Sequence, residues 1–402
     1  MTTTVRAGFD RLQRQLGEIQ EALAELGLDG WLFYELRGRN PVAVELLGVE
    51  AHSRRYFVWV PAAGEPVAIV HGIETGPWAA WPWALHRYVG WRELDQLLAG
   101  VIGGAERVAM EVMPRDAVPV VDLVPAGVVE LVRATGADVV PSAELITRFY
   151  ARWTSEGVES HRRAAEVLAE VAKETFERIA RAVAAGNAPS EAEARRWVIE
   201  RLRERGCGVG ADCIVATGMS AADPHYDAGD QGATFKAGDM ILLDLWAKES
   251  RELIYADQTW IAYLGDTVPA RLAEVWDAAR AARDAAVSFL RERWREGKVV
   301  QGFEVDDVAR AEIDARGFGR AFIHRTGHSI DRATHGMGPN IDNYETHEVR
   351  TLIPGVGFSI EPGIYLPGEI GLRTEINVYI GEDGPEVTPR EIQHEVFTYP
   401  VT

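Results

Sequence analysis

Cysteine is scarce: Cys207 and Cys213 are the two present in 402 residues. So few thiols exclude a disulfide-stapled scaffold and fit a reducing compartment. Two small buried hydrophobes account for them better than a redox or metal pair. Long apolar runs are missing as well. No stretch can span a bilayer, and the opening MTTTVRAGFDRLQRQLGEIQ has no apolar h-region. The expectation is a cytoplasmic protein that carries no standard export signal and is not embedded in membrane. Basic residues are outnumbered, 42 Lys and Arg against 61 Asp and Glu, for a formal net charge of −19. That surplus repels phosphate backbones and anionic lipid, which argues against nucleic acid and membranes as partners. No internal repeat or low-complexity stretch appears, so solenoids and disordered linkers are also set aside.

What remains reads as a soluble globular chain, with 47% hydrophobic and 26% charged residues. Its length exceeds one comfortable core and predicts two domains, 1–155 and 156–402. In the first, Leu12, Leu16, Ile19, Leu23 and Leu26 share one helical face. Strand-like runs follow at 29–34, 55–60, 65–70 and 107–110, with a hairpin signal at 61–64 and a helix expected over 116–135. This is a small α/β unit. In the second, helices are expected over 159–184, 190–206, 269–296 and 304–315, and strands over 211–216, 240–246 and 253–264. The remainder alternates strands with Gly/Pro turns, which predicts an α+β domain with a mainly antiparallel sheet.

Acidic residues stand where apolar ones belong. MILLDLW carries Asp244, LIYADQTWIAYL carries Asp257, GFSIEPGIYL carries Glu361 and GLRTEINVYI carries Glu375. One buried carboxylate is commonly a structural group with a partner. Four in one domain call for positive charge among them, and two divalent cations would balance four carboxylates. Asp244 and Asp257 lie close enough in sequence to face one another across a hairpin with its turn in AKESRE. That geometry suits two metals about 3.5–4 Å apart. The segment FIHRTGHSIDRATHG adds His324, His328 and His335 as nitrogen donors; its glycines argue against a helical zinc pair. His225 follows Pro224 in the polar loop SAADPHYDAGD, where functional residues concentrate.

Taken together, these segments resemble metallopeptidase family M24, the Xaa-Pro peptidases of the pita-bread fold: prolidase, aminopeptidase P and, more distantly, methionine aminopeptidase. The resemblance covers about residues 160–398 strongly and the first 150, as a creatinase/prolidase-like domain, more weakly. The words TGH, IEPGIY and GLRTE carry it, and the family's ligand order Asp, Asp, His, Glu, Glu falls on Asp244, Asp257, His328, Glu361 and Glu375. The resemblance implies a C-terminal pita-bread domain behind a smaller α/β domain. It also implies a dinuclear hydrolase that cuts the bond before proline with a hydroxide shared by the metals. Mn²⁺ is the first expectation, with Co²⁺, Zn²⁺ or Fe²⁺ as alternatives, since an oxygen-rich shell with one imidazole favours these ions. Asp257 and Glu375 would bridge both metals. Glu361 would shuttle the proton, and His225 and His335 would hold the substrate. His324 would stand behind the ligands, Arg373 would brace Glu375 or the substrate, and Tyr365 is a further candidate for substrate contact. Small proline-containing peptides are the implied partners, and a homodimer the implied assembly.

The sequence departs from the family pattern twice. The family spaces its two aspartates more tightly than Asp244 and Asp257, which reads as a longer hairpin turn. The arginine expected for a dipeptide's carboxylate precedes the LxPG stretch; in NYETHEVRTLIPG the candidate is Arg350, with His347 and Glu348 beside it. Prolidase is therefore favoured, with aminopeptidase P, a creatinase-like amidinohydrolase and a non-catalytic pita-bread binding protein as alternatives. Trp78, Trp81 and Trp83 cluster in HGIETGPWAAWPWALHRY, where local packing competes with a role in limiting substrate length.

Overall fold

Apolar residues spaced three and four apart make Asp10–Glu25 an amphipathic helix, α1, which buries Leu12, Ile19, Ala22 and Leu23. The computed structural model describes residues 9–49, 52–224 and 226–401. The chain divides into two compact units, Met1–Tyr150 and Ala151–Thr402.

In the first unit six strands form one mixed sheet. They are β1 (Gly30–Glu35), β2 (Tyr56–Pro61), β3 (Val67–His71), β4 (Ala84–Tyr88), β5 (Arg107–Met110) and β6 (Asp138–Pro141). The spatial order is β4-β3-β2-β1-β5-β6. β2 and β3 pair antiparallel around the predicted hairpin, with Phe57 opposite Ile69. All of β1 is buried, so it reads as a continuous apolar run. Helices α2 (Pro41–Leu47), α3 (Trp91–Ile102), α4 (Ala126–Arg133) and α5 (Ala143–Phe149) complete the unit. The helix expected over 116–135 is shorter than predicted. Pro119 and Pro125 confine regular helix to α4, with short 3₁₀ turns before it. The tryptophan cluster is packing: Trp78 and Trp81 are buried, in ring contact with Phe9 at 5.6 and 4.9 Å. Trp83 stacks edge-on against Trp81.

The second unit opens with α6 (Ser155–Ala184), which begins earlier than expected because Thr154 caps it, its hydroxyl accepting from Gly157 N. α7 (Glu191–Glu204) starts at a capping box. Ser190 Oγ accepts from Glu193 N, and Glu193 Oε2 accepts from Ser190 N. Then come β7 (Val209–Thr217), β8 (Met240–Lys248), β9 (Ala256–Tyr263), α8 (Ala270–Arg295) and α9 (Gly302–Ala315). The last part holds β10 (Ser329–Ile330), β11 (Gly357–Ile360), β12 (Gly363–Leu366), β13 (Ile370–Arg373), β14 (Ile376–Gly381), β15 (Gly384–Thr388) and β16 (Phe397–Thr398). They form a sheet β16-β9-β8-β7, a sheet β10-β11-β14-β15 and the hairpin β12-β13.

Period-two alternation on β8 and β9 decides what each face does. Ile241, Leu243, Leu245 and Ala247 pack with Trp260 and Ala262 into a core under α6 and α7. On the opposite face Met240, Leu242 and Ile261 join a second core with α8 and α9. That same opposite face continues along β8 to Asp244 and Trp246, and along β9 to Thr259 and Asp257.

Candidate metal centre

The β8–β9 register sets Asp244 opposite Thr259, and Asp257 opposite Trp246. The two aspartates are therefore diagonal neighbours on one face rather than a directly facing pair, as the hairpin had suggested. Thr259 is the residue between them. Its hydroxyl donates to either Asp244 Oδ1 (3.1 Å) or Glu375 Oε2 (2.9 Å), and it accepts from Arg373 Nε (3.0 Å).

The other three ligand candidates sit at strand ends of the second sheet. Residues 326–328 run beside 359–361: Ser359 N donates to His328 O (2.9 Å) and Glu361 N to Thr326 O (2.7 Å). This approach explains the glycine of TGH, because a Cβ on Gly327 would lie 2.0 Å from Ser359 O. Glu375 stands between β13 and β14, with its amide donating to Thr259 O at 3.3 Å. Two residues on, Asn377 joins the sheets. Its Oδ1 accepts from Asp257 N (3.0 Å) and its Nδ2 donates to Asp257 O (2.6 Å).

All five candidates line one cavity of ≈ 420 Å³. Ligand atoms of Asp257, His328 and Glu375 lie within 4.8 Å of one another. Glu361 Oε1 is 3.4 Å from His328 Nε2, and Asp257 Oδ2 is 3.6 Å from it. Asp244 is drawn instead into an ion pair with Arg373 Nη2. Burial pushes Asp257 and Glu375 well above the usual carboxylate range. It also raises Asp244, against the pull of Arg373. For Glu361 burial is outweighed by His328, Arg373, His324 and Arg325 together, and the carboxyl is held low. Burial pushes His328 down to about 3, so its ring is neutral at pH 7.

These contacts test whether a cation fits. His328 Nδ1 lies 3.1 Å from Ser329 O, which assigns its proton to Nδ1. The Nε2 lone pair then faces two carboxylates, an arrangement of acceptors with no donor between them. Glu375 Oε1 is buried and has no hydrogen-bond partner. Four carboxylates and one imidazole with orphaned lone pairs are the donor set of a borderline-to-hard divalent ion.

His335 lines the cavity with its ring edge-on to His328, centroids 4.4 Å apart. His324 also lines it and reaches Tyr365 OH through Nε2 at 3.0 Å. Tyr365 is buried behind His324 and Arg373, so it braces that wall rather than touching cavity contents. His225 lies outside the described residues, although its neighbour Pro224 lines the cavity.

Arg350 corrects a sequence expectation. It is buried, forks onto Glu348 (Nε–Oε1 2.8 Å, Nη2–Oε2 2.6 Å), and donates to Met337 O and Gly338 O. With its donors engaged on Glu348 and on backbone carbonyls it braces a loop and does not line the cavity. The cavity's available cation is Arg325, which sequence reading passed over in favour of the histidine beside it. Its guanidinium is half-buried on the cavity wall and makes no hydrogen bond or ion pair among the described residues. Thr259 and Ser359 were missed as well. Period-two reading from Asp257 would have found Thr259.

A family model described as metallopeptidase family M24 matches residues 159–382. The probable dipeptidase PepE of Mycobacterium tuberculosis is 27% identical over 400 residues, 97% of each chain. An Xaa-Pro dipeptidase of Lactobacillus delbrueckii subsp. lactis is 35% identical over 173 residues, 43% of each. The crystal structure of dipeptidase PepE from Mycobacterium ulcerans superposes with a TM-score of 0.75 at 24% identity, covering 98% of this chain and 100% of that one. The whole chain thus has the fold of these pita-bread peptidases.

Proposed function

Because this chain belongs to metallopeptidase family M24, we propose that it is a dinuclear metal-dependent Xaa-Pro dipeptidase that cuts the peptide bond before proline. Family membership makes it a peptidase that works with divalent metal ions. The finer reading rests on one observation: Asp244, Asp257, His328, Glu361 and Glu375 line a single cavity, with unsatisfied lone pairs turned toward one another. Asp257 and Glu375 would be shared between two ions, Asp244 would complete one site, and His328 with Glu361 the other. Mn²⁺ is the favoured ion. When bound, the metals supply electrophilic polarisation of the scissile carbonyl and make water acidic enough to ionise near neutral pH.

The chain's own residues do the rest. Glu361, kept ionised and fixed by Ser359 Oγ at 3.0 Å, accepts a proton at Oε2 and returns it to the departing proline nitrogen. Breaking the C–N bond returns its electron pair to that nitrogen, which must take up a proton to leave as the amine of proline. His335 on the cavity wall donates toward the developing oxyanion and orients the peptide, while His324, its Nδ1 donating to Arg325 O at 2.6 Å and its Nε2 accepting from Tyr365 OH at 3.0 Å, braces that wall. Arg373 holds Asp244 and Thr259 in place. Arg325, whose guanidinium makes no hydrogen bond or ion pair among the described residues, offers a fork for the carboxylate at the end of a dipeptide, which favours dipeptidase over aminopeptidase P.

The test is hydrolysis of Ala-Pro beside Ala-Pro-Ala after dialysis against chelator and addition of Mn²⁺. Cleavage of the dipeptide alone is expected. Efficient release of alanine from the tripeptide would assign aminopeptidase P, and inertness toward both in Mn²⁺, Co²⁺ and Zn²⁺ would defeat the reading.

A further inference from the structure

Residues 218–224 and 226–233 leave β7 after Thr217, contribute Pro224 to the cavity wall, and return beside the start of α7. Nothing in the chemistry above uses Glu191, the first residue of α7. Yet its side chain is fully buried, with 0% exposure. Its Oε1 accepts from Thr217 N at 2.8 Å. Its Oε2 accepts from Tyr226 OH at 2.7 Å and from Ala233 N at 2.7 Å. These donors mark the beginning, the middle and the end of the loop.

The backbone around Glu191 reinforces the clasp. Glu191 N donates to Ala233 O (2.9 Å), and Ala192 N to Gln231 O (3.2 Å). Gly232 has φ +66°, and a Cβ there would lie 2.5 Å from Glu191 Oε2, so the loop passes tightly over the carboxylate. A carboxylate at a helix N-terminus is favoured by the helix dipole, and three hydrogen bonds to one charged group are strong ones. The capping role at this helix is already filled by Ser190 and Glu193. Glu191 is therefore left to serve the loop.

We propose that Glu191 is a positioning residue that pins the loop of 218–224 and 226–233, and with it Pro224 on the cavity wall, so that the protein can hold a small peptide there. Among the described residues its side chain bonds to Thr217, Tyr226 and Ala233 and to none of the five ligand candidates, and it does not line the cavity. It acts through Tyr226, next but one to Pro224, and through the loop's two ends. The kinetic part of this proposal rests on the peptidase reading above; the structural part does not.

The experiment uses the full chain loaded with Mn²⁺, as wild type, Glu191→Gln and Tyr226→Phe. Glutamine keeps the volume but puts an NH₂ where one set of donors needs an acceptor. Tyr226→Phe removes one bond of the three and keeps the fold. Amide hydrogen exchange should rise within 218–233 in both variants while β8 and β9 keep their protection. Mn²⁺ affinity by calorimetry should be unchanged. For Ala-Pro, KM should rise on the order of tenfold in Glu191→Gln with kcat within about twofold, and less in Tyr226→Phe. Unchanged exchange in the loop overturns the proposal whether or not the wild type cleaves Ala-Pro. A loosened loop with unchanged KM overturns it too, as does a kcat that falls together with Mn²⁺ affinity. A wild type inert toward Ala-Pro defeats the peptidase reading, and the exchange measurement alone then decides whether Glu191 pins the loop. Should Glu191→Gln fail to fold, Tyr226→Phe carries the same three readouts.

Discussion

Replacing Asp257 by asparagine should make the metal-free protein more stable while removing its response to metal. Without a cation, the ligand atoms of Asp257 and Glu375 lie within 4.8 Å of one another in a buried site. Two unit charges at that distance repel by roughly 3 kcal/mol at an effective dielectric near 20. Part of this is relieved by protonation, because burial raises both carboxyls. The gain from Asp257→Asn is then about 1–3 kcal/mol. For a unit of this size each kcal/mol moves Tm by about 2–4 °C, so the chelated variant should melt roughly 2–12 °C higher. A raised carboxyl pKa gives stability that is present at low pH and lost as pH rises through the folded value. The advantage of asparagine should therefore be wider at pH 8 than at about pH 4, the ordinary carboxylate range. The substitution spares the clamp from Asn377, which grips only the backbone of residue 257. Mn²⁺ at a hundredfold excess over its Kd should stabilise the wild type by about 2.7 kcal/mol per site and the variant far less. Scanning calorimetry in EDTA and in MnCl₂, at both pH values, reads all of this. A chelated variant no more stable than wild type, or one stabilised equally by Mn²⁺, would refute the reasoning.

Three further outcomes follow from the same structure. Arg325→Gln should raise KM for Ala-Pro on the order of tenfold and leave Ala-Pro amide unaffected; equal losses on both would show that Arg325 does not meet the carboxylate. Arg350→Met should leave the buried Glu348 without its partner and cost about 3–5 kcal/mol in urea unfolding, with KM of the folded fraction unchanged. His161 is buried between Tyr255 O and Thr388 Oγ1, and burial pushes its pKa down to about 4. A lowered histidine pKa means that stability is full above about 6.5 and is lost as pH falls toward about 4. That loss is about 3 kcal/mol. His161→Gln should flatten this acid slope in equilibrium unfolding, and an unchanged slope would assign it to other groups.

The carboxylates were legible because burial forbids them without a reason, and a strand written as an apolar run shows the intrusion directly. Periodicity likewise exposed the long helices α6 to α9, whose apolar faces recur every three to four residues. What the sequence hid were relations that depend on register and on tertiary pairing. The Asp244–Thr259 pairing depends on how many residues the hairpin turn consumes, and composition does not reveal that. Arg350 looked available because its neighbourhood is polar; only the folded loop shows it forked onto Glu348 two residues away. Arg325 shows the reverse, a cation whose guanidinium the described residues leave without a hydrogen bond or ion pair. The overlong helix at 116–135 arose from reading apolar spacing across prolines that interrupt the backbone ladder. Glu191 resembled an ordinary acidic residue in a first helical turn, and its three donors come from a segment more than twenty residues away.

The amide side chain of Asn377 has a consequence for anyone who would transplant this centre. By offering one acceptor and one donor to the backbone of residue 257, it imitates a neighbouring strand and, beside the Glu375 amide on Thr259 O, ties two separate sheets together. Carboxylates borne by different sheets are consequently held at one spacing through the backbone. A graft that copied only the five coordinating side chains onto another scaffold would inherit their chemistry without the joint that keeps them in step.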